Sequence, residues 1–250
     1  MEIKIIYEDE NFLAVNKPSG LMVHSDGKSK EQTLCDWILK NYPETENVGE
    51  PLKLSSGKII KKPGIVHRLD KETSGVILIA KNQDTFLCLK KQFQERKVKK
   101  IYKAFVYGVP PVGGKEEKGV IDRAVGRSKK DFRLWSAQRG ARGVLRKAIT
   151  EYKVLKKNSS IKLGAGKDFS FVEIYPKTGR THQIRAHFKA INHPIVCDKL
   201  YAPKRECALG FNRLALHAFS IEIVLPDGET RKFESELPIE FKKAAEMLAF

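Results

Sequence analysis

The chain has 250 residues, of which 41% are hydrophobic and 31% charged, a composition typical of a globular protein and not of a disordered segment. Its longest purely aliphatic run, residues 76–80, is far shorter than the ~20 residues that a membrane-spanning helix needs, and the first residues lack a secretory leader. We therefore expect a cytoplasmic protein that does not enter a membrane.

The charge balance favours polyanions as partners. Lysine and arginine number 47 against 30 aspartates and glutamates, a formal net charge of +17. Such an excess attracts phosphates and points to nucleic acid, although a lysine-rich surface without a partner is the alternative that charge alone leaves open. The four cysteines form no CxxC pair, so we expect reduced, mostly buried thiols at Cys35, Cys88, Cys197 and Cys207.

The sequence of the first half of the chain predicts both strands and helices. Residues 2–7 and 12–16 are predicted strands of a hairpin. Thr33 is a predicted helix cap, and residues 44–63 are polar and glycine-containing, which is typical of a loop. Further along we expect a strand buried on both faces at residues 76–80, a helix capped by Asp84 and a strand at residues 99–108.

The basic, glycine-rich segment 113–147 has two open interpretations, a mobile flap that faces RNA or a pair of solvated edge strands. Beyond it we expect strands in AITEYKVL and FSFVEIYP, a helix opened by Thr181, and a hairpin with its turn at Asp227-Gly228. Strands and helices without strict alternation predict an α+β fold with a mixed, mostly antiparallel central sheet flanked by helices and loops. No linker divides the chain, so residues 1–250 are expected to form one domain.

The segment GIVHRLDKETSGVILIAKN, residues 64–82, places five ionisable side chains just before the predicted buried strand. Taken alone, Asp70 could be a turn residue or a helix cap. An aspartate that follows Arg68 and precedes a buried strand can instead lie at the rim of a cleft, ionised by a nearby cation. That environment suits a nucleophile or a general base.

This segment resembles the signature of the RluA family of RNA pseudouridine synthases. NKPSGLMVHS, KKIYKAFVYG, PKTGRTHQIRAHF, HPIVCDKLYAP and RLALHAFSIEI resemble the family's other segments in the same order, from roughly Ile3 to Phe241. The resemblance implies a pseudouridine synthase fold with its cleft across the sheet, and isomerisation of uridines in ribosomal RNA, transfer RNA or both, without a cofactor. Cys197 stands where the resemblance leads us to expect glycine, and we expect no S4-like RNA-binding module before residue 3.

The resemblance also implies three catalytic residues. Asp70 is the catalytic carboxylate, acting either as a nucleophile toward the sugar or as a base on its 2′ position. Tyr102 is the active-site tyrosine, whose ring can stack on uracil and whose hydroxyl can help to remove the C5 proton; without the motif it would be a core aromatic residue of a strand. Arg185 is expected to pair with the catalytic aspartate and to keep its pKa low.

RNA contacts follow from the need to flip the target uridine out of its stack. Arg68 is the candidate wedge or phosphate clamp, and His67 could assist it. The remaining predicted RNA-contacting residues are Lys17, Thr73, Arg180, Thr181, His182 and Gln183.

The sequence allows two rival interpretations, a metal site and a non-catalytic RNA-binding module. His182, His187, His193 and Cys197 fall close together, but their spacing does not match the common zinc patterns, so no metal is predicted. A non-catalytic RNA-binding module of the same fold would carry the same basic surface; the joint presence of Asp70, Tyr102 and Arg185 argues against it. A monomer is the default expectation.

Overall fold

The computed structural model describes residues 3–27, 29–53, 57, 59–138, 141–158, 168–225 and 228–248. The chain divides into two compact units. The first unit comprises Met1–Lys100 and Ala218–Glu236, and the second comprises Ile101–His217 and Leu237–Phe250. The expectation that residues 1–250 form one domain stays a prediction.

Helices and strands are mixed along the described part of the chain. The helices are α1 (Leu34–Asn41), a 3₁₀-helix (Pro43–Asn47), α2 (Gln83–Gln94), α3 (Gln183–Ala190) and α4 (Ile239–Met247). The strands are β1 (Lys4–Glu8), β2 (Phe12–Lys17), β3 (Leu52–Lys53), β4 (Ile59–Ile60), β5 (Ser74–Ala80), β6 (Lys99–Tyr107), β7 (Lys118–Asp122), β8 (Val125–Arg127), β9 (Trp135–Ser136), β10 (Arg142–Arg146), β11 (Ile149–Asn158), β12 (Phe169–Pro176), β13 (Leu216–Val224) and β14 (Thr230–Glu234).

In the first unit, strands follow the order β1-β2-β5-β13, with β14 paired to β13. The pairings of β1 with β2, β2 with β5 and β13 with β14 are antiparallel, which confirms both predicted hairpins. All seven residues of β5 are buried, as its aliphatic run predicts. Asp227, in the predicted turn between β13 and β14, lies outside the described residues.

The helix starts of the first unit test the predicted caps. Thr33 does cap α1: its Oγ1 accepts the Asp36 N–H at 3.3 Å, and the Asp36 carboxylate accepts the Thr33 N–H at 2.7 Å. For α2 the predicted cap, Asp84, is wrong, since Asn82 Oδ1 accepts the Thr85 N–H at 2.9 Å and Asp84 lies inside the first turn. The predicted loop 44–63 contains the 3₁₀-helix and the short hairpin β3–β4.

In the second unit, the large sheet follows the order β6-β12-β11-β7, with antiparallel pairings. Its core contains aromatic rings from β6, β12, α3 and α4, among them Phe105, Phe171, Phe188 and Phe241. The predicted strands at β6, β11 and β12 are confirmed. Within the basic segment, β8, β9 and β10 form a separate three-stranded sheet in the order β10-β8-β9.

The cysteine prediction is wrong for one pair. Cys197 and Cys207 form a disulfide with their Cα atoms 4.4 Å apart, whereas Cys35 and Cys88 are free thiols. Cys197 has a φ of 57°, a left-handed conformation that favours glycine. This backbone angle agrees with the glycine that the resemblance leads us to expect at position 197.

Candidate active site

Asp70 lies half-buried in a turn that leads into β5. The Thr73 N–H donates to the Asp70 carbonyl at 3.1 Å. The carbonyls of the next two residues accept hydrogen bonds from the turn that follows β2. The Gly20 N–H donates to Lys71 O at 2.9 Å, and Ser19 Oγ donates to Glu72 O at 2.6 Å. These bonds fix the backbone on the C-terminal side of the Asp70 carboxylate.

Lys17 contributes to the same anchoring from inside the first unit. Its side chain is 0% exposed, and Nζ donates to Pro18 O and Leu21 O at 2.8 Å and to Lys71 O at 3.1 Å. Lys17 was predicted to contact RNA, but an enclosed ammonium has no surface to offer. Thr73, another predicted RNA contact, is also buried. Both residues position the Asp70 turn instead.

His67 anchors the N-terminal side of this turn. The Leu78 N–H of β5 donates to His67 Nε2 at 2.9 Å, and the imidazole stacks on Phe93 with ring centroids 4.7 Å apart. Burial, and then the positive charge of Lys100, lowers the pKa of His67 to about 3. The ring is therefore neutral and carries its proton on Nδ1, an arrangement suited to holding backbone.

Arg68 points its side chain to the surface next to Asp70 in sequence. Its Nη1 lies 3.4 Å from His24 Nε2. Burial lowers the pKa of His24, and the charge of Arg68 lowers it further, so the neutral imidazole can accept from the guanidinium. Arg68 is thus an exposed cation whose guanidinium contacts the His24 ring through one nitrogen.

The glycine that ends the motif HRLDKETSG, Gly75, is required by the backbone geometry. Its φ is 117°, and a Cβ at this position would lie 2.1 Å from the Ala218 carbonyl oxygen of β13. No side chain fits there without moving β13. The start of β5, four residues after Asp70, is therefore fixed by close backbone packing at Gly75.

Tyr102 lies in the second unit, on β6, where it pairs in register with Ile174 of β12. Its side chain is half-buried and packs against the core of that unit. This is the strand environment predicted for Tyr102. An aromatic ring with one face on the core and part of its surface exposed can stack on a planar ligand.

Arg185 is held by an acidic partner that sequence analysis missed. The side chain, 6% exposed, donates from Nε and Nη2 to the two Asp198 carboxylate oxygens, both at 2.8 Å. The guanidinium also lies 4.9 Å from the centre of the Tyr201 ring. Asp198 Oδ1 accepts the Leu200 and Tyr201 N–H groups at 3.1 and 2.9 Å, which ties the aromatic ring to the carboxylate.

The sequence did carry a weak signal for this arrangement. An aspartate followed by a tyrosine three residues later is compatible with an Asx turn that brings the two side chains to one side. The partner of Arg185, thirteen residues away, is not identified by that pattern. The pairing follows from the turn after α3, which the sequence does not specify.

The start of α3 differs from the prediction. His182, with a φ of 52°, is the cap residue and makes no side-chain cap bond, so Thr181 does not open the helix as expected. Thr181 is exposed, and Arg180 is half-buried with its Nε 3.3 Å from Lys147 O. His182 Nδ1 lies 3.1 Å from the Tyr201 hydroxyl, which joins the start of α3 to the Arg185 surroundings.

Gln183 is buried and binds protein groups on all sides of its amide. Nε2 donates to Ile149 O and Thr150 Oγ1, and Oε1 accepts from the Arg180 N–H, each at 3.0 Å. This bonding orients the backbone before α3. The same amide is not offered to RNA at the surface, in contrast to the predicted RNA contact.

The histidines and cysteine of the rival zinc interpretation have separate partners. His187 Nε2 lies 2.9 Å from Arg123 O, His193 Nδ1 lies 2.9 Å from Tyr107 O, and Cys197 is in the disulfide. Across the described ranges, no group of three or more His, Cys, Asp or Glu side chains could hold a metal ion. No helix in those ranges is long and apolar enough to cross a membrane.

Comparison with known proteins decides the family. Residues 11–190 match the sequence model of the family described as RNA pseudouridylate synthase. The chain belongs to this family. The structures of two human proteins resemble it. RNA pseudouridylate synthase domain containing 1 has a TM-score of 0.70 and 27% identity, with coverage of 95% of this chain and 84% of that one. RNA pseudouridylate synthase domain containing 4 has a TM-score of 0.69 and 25% identity, with coverage of 98% of this chain and 92% of that one.

Curated pseudouridine synthases give the same result. An uncharacterized RNA pseudouridine synthase of Aquifex aeolicus is 37% identical over 96% of this chain and 71% of its own length. Ribosomal large subunit pseudouridine synthase D is 36% identical in Borreliella burgdorferi, over 96% of this chain and 66% of that protein, and 36% identical in Neisseria meningitidis serogroup B, over 95% and 59%. The chain therefore spans between 59% and 71% of the length of these relatives.

Membership of the pseudouridine synthase family confirms the resemblance found in the motifs. The α+β fold with a mostly antiparallel sheet is confirmed as well, since the structures of both human proteins match it over nearly the whole chain. Members of this family isomerise uridine in RNA, so the predicted enzyme class and RNA as the substrate class are confirmed at the level of the family.

Proposed function

We propose that this chain converts specific uridines of ribosomal or transfer RNA to pseudouridine, with Asp70 as its catalytic carboxylate. The observation that carries the proposal is the Asp70 turn, a half-exposed carboxylate between fixed backbone segments inside the family motif. The Lys17, Ser19 and Gly20 bonds on one side and the His67 bond on the other support preorganisation. Relatives named ribosomal large subunit pseudouridine synthase D make ribosomal RNA the first substrate to test.

The reaction needs no redox agent. The bond between uracil N1 and ribose C1′ breaks, the base turns, C5 bonds to C1′, and the proton lost from C5 is balanced by the one gained at N1. Asp70 either attacks the sugar carbon or removes the 2′ proton; both require an ionised carboxylate and both require that water be kept from the intermediate.

Arg185 and Tyr102 take the roles that their motifs give them. Arg185 is assigned to pair with the catalytic aspartate, and a planar guanidinium prepositioned by Asp198 and Tyr201 suits that task. A lysine would lack the fork that binds Asp198 through two nitrogens. Tyr102 stacks on the detached uracil, and its hydroxyl assists loss of the C5 proton.

Arg68 is the residue that we assign to base flipping. A uridine stacked in RNA must leave its stack to reach a carboxylate, at a cost of a few kcal/mol. An exposed planar cation two residues before Asp70 can occupy the space that the base leaves or bind the adjacent phosphate. The His24 contact restrains the guanidinium in the absence of RNA.

The test is release of tritium from C5-labelled uridine in transcribed ribosomal and transfer RNAs. Wild-type protein should release tritium from at least one RNA, and Asp70→Asn should lower the rate by at least about a hundredfold, since it removes the carboxylate charge. Asp84→Asn, on the exposed first turn of α2, is the matched control and should behave as wild type.

Two outcomes contradict the proposal. Unchanged release by Asp70→Asn, with circular dichroism like that of wild type, would remove Asp70 from the chemistry. Tight binding of wild type to every RNA without tritium release would support the non-catalytic RNA-binding module instead. The RNA that does respond identifies the substrate class.

A further inference from the structure

The tip of the small basic sheet presents an aromatic ring to solvent. Phe132, in the turn between β8 and β9, is 82% exposed, the most exposed of the large hydrophobic side chains in the described part of the chain. All five residues of the neighbouring strand β10 are exposed as well. A single exposed apolar side chain is common on protein surfaces, so the case for a ligand at this ring rests on what holds and surrounds it.

The turn that carries Phe132 is tightly bonded. The Ser128 N–H donates to Leu134 O, and the Leu134 N–H donates to Asp131 O, both at 3.0 Å. Two arginines bind the turn from the sheet: Arg127 Nη1 donates to Phe132 O at 2.8 Å, and Arg142 Nη2 donates to Lys129 O at 2.6 Å. The backbone of Phe132 is therefore held in place although its ring is exposed.

The sheet below the turn is anchored in the second unit. Val125, Ala137 and Ala148 form a small buried cluster with Ala190 of α3. The Trp135 N–H donates to the Tyr201 hydroxyl at 2.9 Å, which links β9 to the residue that stacks on Arg185. An exposed group on an anchored support loses little conformational entropy when a ligand binds to it.

The surroundings of the ring are strongly cationic. Residues 123–147 contain nine lysines and arginines and a single acidic residue, Asp131. Asp131 is bound by Arg133 through Nε at 3.1 Å and Nη2 at 2.7 Å, so its charge is compensated within the turn. Lys129 and Lys130, directly before it, are exposed. An apolar ring among exposed cations fits a polyanion with planar groups.

We infer that Phe132 stacks on a base of an unpaired RNA segment while Lys129, Lys130 and neighbouring arginines contact its phosphates. Base-on-aromatic stacking within a basic surface is the common way to bind single-stranded RNA, whereas paired bases in a duplex have no free face. The base that Phe132 contacts is a different one from the target uridine. The inference rests on the proposed function, because the occupant is the RNA that the enzyme modifies.

The test is fluorescence anisotropy with two probes, a labelled oligouridine strand and a labelled blunt-ended RNA duplex, on the full chain. Phe132→Ala and Phe132→Leu should each weaken oligouridine binding by about tenfold, because leucine keeps an apolar side chain but cannot stack. Phe132→Trp should bind as wild type or more tightly, with tryptophan fluorescence quenched by oligouridine. Duplex binding should be the same for all four proteins.

Ile239→Ala is the matched control, since Ile239 is an exposed apolar residue on α4 and should not alter either affinity. Arg142→Gln, which removes the bond to Lys129 O but keeps the ring, should weaken oligouridine binding by less than Phe132→Ala.

Equal oligouridine affinity of wild type and Phe132→Ala would overturn the inference, as would full binding by Phe132→Leu. Tritium release separates this result from the proposed function. If wild type releases tritium but the Phe132 variants bind oligouridine as wild type does, the stacking contact is refuted and the proposed function is not. If the Phe132 variants bind oligouridine more weakly but wild type releases no tritium from any RNA, the stacking contact is supported and the proposed enzymatic function is refuted.

Discussion

Around Asp70, the buried polar groups hold backbone instead of facing the RNA. Lys17, Thr73 and His67 were all predicted RNA contacts, yet the first two are buried and the imidazole of the third is bonded to β5. These three residues hold the backbone that positions Asp70. Arg68 alone among the predicted contacts adjoining Asp70 in sequence has an exposed side chain.

His67 makes this interpretation testable through pH. Its pKa is about 3 in the folded protein, whereas a histidine in an unfolded chain titrates near 6.5. Between these values the unfolded state binds a proton that the folded state does not, so stability falls as pH falls below about 6.5. Between pH 7 and pH 5 this one group should cost about 2 kcal/mol of unfolding free energy.

The measurement is urea unfolding of wild type and His67→Gln at both pH values. Glutamine can still accept the Leu78 N–H but does not titrate, so the variant should lose about 2 kcal/mol less than wild type over this range. His24 and His187, whose pKa values burial also lowers, are present in both proteins and cancel in the comparison. Parallel losses in the two proteins would show that His67 is protonated in the folded state.

At the level of elements, local pattern identified strands better than helix starts. The aliphatic run of β5 and the alternation of buried and half-buried residues in the first part of β11 depend on burial by any suitable neighbour, so the sequence predicts these strands. Asn82 and Asp84 are both good caps, and local sequence cannot choose between them. The sequence leaves two interpretations of the segment that forms β8, β9 and β10, because β8 and β9 are too short to show a periodicity and all five residues of β10 are exposed.

The candidate site likewise has residues that the sequence identifies and contacts that it does not. Asp70, Tyr102 and Arg185 were identified by motifs, and the half-buried strand position of Tyr102 followed from its pattern. The Asp198 and Tyr201 contacts of Arg185, and the disulfide beside them, depend on how the chain folds back after α3. The pairing of cysteines cannot be deduced from sequence alone.

The disulfide predicts a stability difference with redox state. Cys197–Cys207 closes a loop of ten residues that contains Asp198 and Tyr201, and such a crosslink stabilises by about 3 kcal/mol through the unfolded state. Cys207→Ser should lose about this amount in urea unfolding. Cys197→Gly should lose about 1 kcal/mol less, because glycine relieves the left-handed conformation at φ 57°.

The internal control is the wild-type protein in dithiothreitol, which should unfold like Cys207→Ser, while both variants should be insensitive to the reductant. Cys88→Ser, which alters a thiol outside the disulfide, should remain as sensitive to dithiothreitol as wild type. A wild-type unfolding curve that does not respond to the reductant, with two free thiols detected at Cys197 and Cys207, would contradict the crosslink.

For the molecule as a whole, the net charge of +17 is the property that acts at a distance. Many of the cations are not free: Lys4 and Lys232, for example, pair with Glu236 and Glu234 on the surface of the first unit. In residues 123–147, the C-terminal part of the basic segment, the acidic residues needed for such pairing are almost absent. The field that attracts RNA should therefore come disproportionately from this segment.

Salt dependence measures that contribution. Each phosphate neutralised on single-stranded RNA adds about 0.7 to the negative slope of log affinity against log salt, so contact with about six phosphates gives a slope near −4. Lys129→Gln with Lys130→Gln should reduce the steepness by about 1.4 and weaken binding to RNAs of any sequence alike. Lys4→Gln with Lys232→Gln removes the same charge from ion-paired sites and should leave the slope within error of wild type. An equal change in both double variants would mean that net charge acts without regard to place, and a flat wild-type response would mean that RNA binding does not depend on this charge.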